Sequence, residues 1–100
     1  MSKQTKYTKS AKGQECQIRL PGVCNFDTET TVLAHLNGGG MGMKALDIHG
    51  AYACSRCHDA VDGRIAMSMM AHSSREIKLA FYDGVIRTQS IMIIDGVLAL

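Results

Sequence analysis

Ala53-Cys54-Ser55-Arg56-Cys57-His58-Asp59, with Asp62 close behind, is the stretch whose reading decides the fold. Two cysteines separated by two residues, at a turn into a helix, can reach one tetrahedral metal ion. Ser55 is the expected N-cap of that helix, which runs through Cys57, His58, Val61 and Asp62 and stops at Gly63. His58 and Asp62 fall four residues apart on one helical face, and a histidine with a carboxylate at that spacing is half of a site for a divalent cation.

Upstream, Cys16 and Cys24 are separated by a wider gap that the Pro21-Gly22 turn can close. Gln17-Ile18-Arg19-Leu20 alternates polar and apolar residues, which predicts a short hairpin between these cysteines. Cys16, Cys24, Cys54 and Cys57 then make a set of four. In a reducing compartment such a set points to metal more than to disulfides, so a structural Zn²⁺ is expected on them. It would contribute folding free energy that the loop-rich segment around residues 20 to 50 lacks. The competing readings are a redox CxxC, which normally follows a strand in a βαβ pattern that is absent here, and buried inert thiols.

Between the cysteine pairs, Thr30-Thr31-Val32-Leu33-Ala34-His35-Leu36 is rich in β-branched residues and predicts a strand ending near His35. Residues 37 to 44 hold four glycines in eight positions, too much backbone freedom for regular structure, so they form a loop. Ile48 to Ala53 is either a strand or a bend. Further on, Ser73 or Ser74 caps a longer helix with Glu76 in its first turn. Ile77, Phe81, Val85, Ile86, Gln89 and Met92 recur at three and four residues and predict its inward face. Gly84 inside that pattern costs about 1 kcal/mol against alanine, which implies a kink or a close contact. Asp95-Gly96 makes a turn into Val97 to Leu100, a strand or a packed end. Met67, Met69 and Met70 read as adaptable core filler, and His72 as a partly buried polar side chain.

One hundred residues, 46% hydrophobic and 20% charged, fit one α+β domain and exclude wholesale disorder, collagen and coiled coil. No apolar run approaches the ~20 residues of a membrane span, and the lysine-rich N-terminus lacks the apolar core of a secretory signal, so a cytoplasmic location is expected. The net charge of +2 is unevenly placed. Residues 1 to 20 carry Lys3, Lys6, Lys9, Lys12 and Arg19 against Glu15 alone, whereas the rest has six bases and eight acids. Residues 1 to about 12 therefore read as a flexible basic arm, either for phosphate contact or as a solvated tail.

Ala34-His35, His49 and Cys54-Ser55-Arg56-Cys57-His58 together resemble the HNH branch of the ββα-metal (His-Me finger) endonucleases. The longer series, Glu15-Cys16 to Val23-Cys24, Val32 to His35, and Ala53 to Asp59 with Asp62, is similar to the YbcO-like family of phage and prophage nucleases, over about residues 8 to 98. The resemblance implies a zinc-stapled ββα-metal finger over 13–64 with an additional C-terminal helical region over 65–100. It also implies metal-dependent hydrolysis of DNA phosphodiester bonds in phage or prophage recombination, repair or processing. By resemblance His35 is the general base, and His58 is a ligand of a catalytic Mg²⁺ or Mn²⁺. His49 stands where the family's middle asparagine commonly sits, to orient His35 or to join the metal shell. Because Ala34 replaces an acidic ligand or second histidine, Asp62, Asp59, His49, Asp47 or water must complete that shell. Lys44, Arg56 and Arg64 are candidate phosphate contacts. The apolar C-terminal helix could pair with a copy of itself as a homodimer. The rival function is a zinc-binding DNA or protein adaptor without catalysis, which would need neither His35 nor His58.

Overall fold

The computed structural model describes residues 5–35, 46–65 and 72–99. Within them the chain forms helix α1 (Lys6–Ser10), strands β1 (Val32–Ala34) and β2 (Ala51–Ala53), and helices α2 (Ser55–Val61) and α3 (Ser74–Ile94). Single 3-10 turns lie at Thr28–Thr30 and Asp47–His49. This is a small α+β architecture with a two-stranded sheet and three helices.

β1 and β2 are antiparallel, pairing Val32 with Ala53, Leu33 with Tyr52 and Ala34 with Ala51. Side chains alternate across a strand, so each face of this sheet has its own character. Ala34, Ala51 and Ala53 are fully buried in one cluster with Ile18, Leu20, Cys54, Cys57, Ala60, Ile77 and Phe81. Alanines on that face let the helices lie close. Leu33 and Tyr52 belong to a second cluster with Ala11 and Met92. Helix α3 serves both, with Ile77 and Phe81 in the first and Met92 in the second.

The outer edge of β2 does not face water. The buried Tyr52 N–H donates to Thr88 Oγ1 of α3 at 2.9 Å, and the Tyr52 carbonyl accepts from Gln17 N–H at 2.7 Å. These bonds satisfy backbone groups that an edge strand leaves open. Gly84 gives the close contact its position implied. A Cβ there would meet Ile18 Cγ1 at 3.0 Å, Gln17 O at 3.2 Å and Ala51 Cβ at 3.3 Å. Helix α3 approaches the sheet through that gap.

Several local expectations are corrected. Gln17–Leu20 is not a strand of a hairpin: Cys16, Gln17 and Ile18 are buried in succession, and Arg19 takes a left-handed φ of 55°. Gln17 is held inside because its side chain donates to Glu15 O and accepts from Arg19, while its carbonyl accepts from Arg87. The Pro21-Gly22 turn does form, with Val23 and Cys24 N–H groups donating to Leu20 O. The cap of α2 is Cys54, whose sulfur accepts from Cys57 N–H; Ser55 is the first helical residue. The inward face of α3 is Ile77, Phe81, Gly84, Thr88 and Met92; Ile86 is exposed and Val85 half-buried. Ser73 caps α3 in a reciprocal capping box with Glu76. The chain after Gly96 is a packed end, with Val97 and Leu98 against the second cluster.

The basic N-terminus also differs from a flexible arm over residues 5–11. Thr5 and Thr8 form a capping box at the start of α1, Ser10 lies 2.7 Å from the Tyr52 hydroxyl, and Ala11 is fully buried. Tyr7 packs on the second cluster, whereas Lys6, Lys9 and Lys12 remain exposed. Met67, Met69, Met70 and the glycine-rich segment lie outside the described residues.

Candidate metal cluster and histidine sites

Cys16 and Cys24 flank the Pro21-Gly22 turn, while Cys54 follows β2 as the cap of α2 and Cys57 lies in the first turn of that helix. The fold brings all four together, with sulfurs within 4.8 Å of one another. Cys24 and Cys54 sulfurs are 3.7 Å apart. Thiolates around one tetrahedral zinc sit about 3.8 Å apart, from a metal–sulfur bond of about 2.3 Å. The backbone bends to serve these sulfurs. Cys54 accepts from the N–H groups of Asn25 and Cys57, and Cys16 from those of Ile18 and Arg19. Among the described residues Arg19 and Phe26 are the non-glycine positions with positive φ, and each donates its N–H to a cysteine upstream. The left-handed turns curl the chain around the ligands.

The four thiols are close enough to shift one another's protonation. Hydrogen bonding from the Cys57 thiol, with support from backbone N–H groups, holds Cys16 down to about 4 against its own burial. Burial, and then the charge on Cys16, pushes Cys24 up to about 11. Sharing a proton with Cys16, together with burial, pushes Cys57 up as well. One thiolate suppresses its neighbours, and a divalent cation would remove that conflict. It is the spacing of the four sulfurs, together with their thiolate chemistry, that could hold a metal ion.

His35 leaves the end of β1 and is a third exposed. Its Nε2 lies 2.6 Å from Asp47 Oδ1, and the Thr5 hydroxyl donates to Asp47 Oδ2 at 2.6 Å. Asp47 opens the 3-10 turn before β2, where its carbonyl accepts from Gly50 N–H. Gln89 of α3 fastens the same turn by donating to the Ile48 carbonyl.

On α2, His58 Nε2 and Asp62 Oδ2 are 3.0 Å apart, as the four-residue spacing implied. Arg64 extends this pair, reaching Asp59 at 3.2 Å and Asp62 at 3.4 Å. Its guanidinium is committed to carboxylates. Arg56 and His49 are exposed, and Lys44 lies outside the described residues. His72 sits between Pro21 O, 2.7 Å from Nε2, and Glu76, 3.5 Å from Nδ1, so it ties α3 to the turn between Cys16 and Cys24. Sequence reading left Asp47 among several metal-shell options and missed Thr5. The signal for Thr5 was the Thr5/Thr8 cap and the apolar Tyr7 and Ala11, obscured by the surrounding lysines.

Fold and site together define a small α+β protein built around a four-cysteine cluster able to hold a metal ion, with histidine–carboxylate pairs at the end of β1 and on α2. The chain belongs to the YbcO family: the family model described as "Putative nuclease YbcO" matches residues 5–97. "Putative nuclease YbcO" of Escherichia coli (strain K12) is 43% identical over 93 residues, covering 90% of this chain and 93% of that one. "Putative nuclease ybcO" of Enterobacteria phage 82 shows the same 43% identity and coverage. Among solved structures, "Structure of a putative bacteriophage protein from Escherichia coli str. K-12 substr. MG1655" superposes with a TM-score of 0.77 at 40% identity. That match covers 90% of this chain and 99% of the other.

Proposed function

We propose that this protein is a metal-dependent endonuclease of the HNH type, stapled by a structural Zn²⁺ on Cys16, Cys24, Cys54 and Cys57. The observation that carries the reading is His35 at the end of β1, paired with a carboxylate and followed by β2 and an α2 bearing His58 and Asp62. Membership of a family named for a nuclease supports it. His35 accepts a proton from the water that attacks phosphorus, as the P–O bond to the leaving oxygen breaks. His58 and Asp62 would hold a divalent cation, Mg²⁺ or Mn²⁺, which would neutralise charge at the phosphate and on the leaving oxygen. Their nitrogen and carboxylate donors suit such an ion. Asp62 would exchange its contact with Arg64 for it, releasing the guanidinium toward a phosphate.

DNA is the substrate this chemistry suits. The exposed Lys6 and Lys9, suited to phosphate contact, lie on the helix whose cap, Thr5, touches Asp47, the partner of His35. Arg56, exposed in the first turn of α2, adds to it. The test is cleavage of single-stranded, duplex and branched DNA by the zinc-loaded protein with Mg²⁺, Mn²⁺ or chelator. Cleavage that requires the added ion is expected; inertness on all three with both ions favours the non-catalytic adaptor.

A further inference from the structure

We propose that Thr5 and Asp47 are positioning residues for His35, so that the N-terminal helix is part of the machinery that sets the base; this rests on reading His35 as the base. The Asp47 carboxylate joins His35 Nε2 on Oδ1 to the Thr5 hydroxyl on Oδ2, each at 2.6 Å. A carboxylate accepting from Nε2–H fixes the ring proton there and leaves Nδ1 as the ring's acceptor, the form a general base requires. The second bond fixes the carboxylate. It opposes rotation of the carboxylate about its broad terminal torsion, which would carry the imidazole with it.

Thr5 is itself held at both ends. Its Oγ1 accepts from Thr8 N–H at 3.2 Å, and its own N–H donates to Thr8 Oγ1 at 2.8 Å. Helix α1 is seated on the sheet that carries His35 by Tyr7, by buried Ala11 and by the Ser10–Tyr52 contact. His35, twelve residues from Asp47, and Thr5, forty-two residues from it, thus converge on one carboxylate. Neither partner needs to touch substrate. A helix that also displays Lys6 and Lys9 would couple phosphate contact to the orientation of the base.

The test compares full-length, zinc-loaded wild type with Asp47→Asn, Thr5→Val and Thr5→Ser. Each is read by the His35 Nε2–H proton resonance and by kcat and KM for metal-dependent cleavage. Zinc content and unfolding temperature accompany both. Asp47→Asn should abolish the protected downfield resonance and lower kcat about 10–100-fold with KM within about twofold. Thr5→Val should shift the resonance and lower kcat about fivefold, with Thr5→Ser restoring both. An active wild type whose kcat and resonance are unmoved in Asp47→Asn and Thr5→Val overturns the positioning role and leaves the nuclease reading standing. A wild type inert on every substrate overturns the nuclease reading and the catalytic role of the pair together.

Discussion

Thr88→Val tests whether a single hydroxyl closes the sheet. The side chain is fully buried, and its Oγ1 accepts the Tyr52 N–H at 2.9 Å. Valine keeps the volume, the β-branching and a similar helix propensity, so the change isolates the acceptor. Leaving a buried N–H without a partner costs about 1–3 kcal/mol, while desolvating a methyl in place of a hydroxyl returns part of that. The net expectation is a loss of about 1–2 kcal/mol, or on the order of 5–15 °C in unfolding temperature for a domain of this size. Urea unfolding at fixed zinc concentration measures it, since bound metal otherwise sets the apparent stability. Thr88→Ser is the control: it keeps the acceptor and loses one methyl, so it should cost about 1 kcal/mol by lost burial alone, with Tyr52 N–H still protected from exchange. A Thr88→Val protein as stable as wild type, with Tyr52 N–H equally protected, would refute the closing role.

If the proposed zinc holds the four sulfurs together, removing it or one of its ligands acts on the whole fold. Cys54→Ser, or a strong zinc chelator, should abolish cooperative unfolding near neutral pH, with bound zinc falling from one per chain, measured by elemental analysis beside circular dichroism. Gly84→Val should cost on the order of 2–3 kcal/mol in urea, because the Gln17 carbonyl and the Ala51 Cβ cannot yield as a flexible side-chain end can. His72 carries a pH signature: the Pro21 carbonyl, and then Glu76, hold its pKa above the ordinary 6.5. Its contribution is therefore complete below pH about 6.5 and lost as pH rises through the raised folded value. His72→Gln should flatten the decline in stability across that window, seen in unfolding temperature against pH. Glu76 has the opposite sense. Ser73 and His72 lower its pKa, so its share is present above about 4.5 and lost as pH falls through the folded value.

Much of this was legible because it is local. Thr30 to Val32 placed a strand just before His35, the CxxC placed a turn into a helix, and His58 and Asp62 met because i and i+4 share a helical face. Gly84 was visible as a residue whose cost needed a reason, and the reason is the approach of Ile18, Gln17 and Ala51. The misreadings arose where a polar group satisfied a non-local need. Gln17 looked like the outward residue of a strand, yet it is buried because its backbone completes β2 and its side chain is fully bonded. The face of α3 was drawn through Val85 and Ile86 because Gly84 and Thr88 carry no apolar signal, although both point inward. The partner of His35 lies across a glycine-rich segment, where spacing gives no register, and lysines around Thr5 suggested a tail in place of a seated helix.

Under the nuclease proposal His35 performs chemistry and does not hold the fold. Its most direct test is the rate of Mg²⁺- or Mn²⁺-dependent DNA cleavage by zinc-loaded His35→Ala beside wild type, on the substrate that wild type cuts best. Wild type should cleave and the variant should lose about a hundredfold or more, with zinc content and unfolding temperature unchanged. Cleavage at the wild-type rate by a folded, zinc-loaded His35→Ala protein would contradict it.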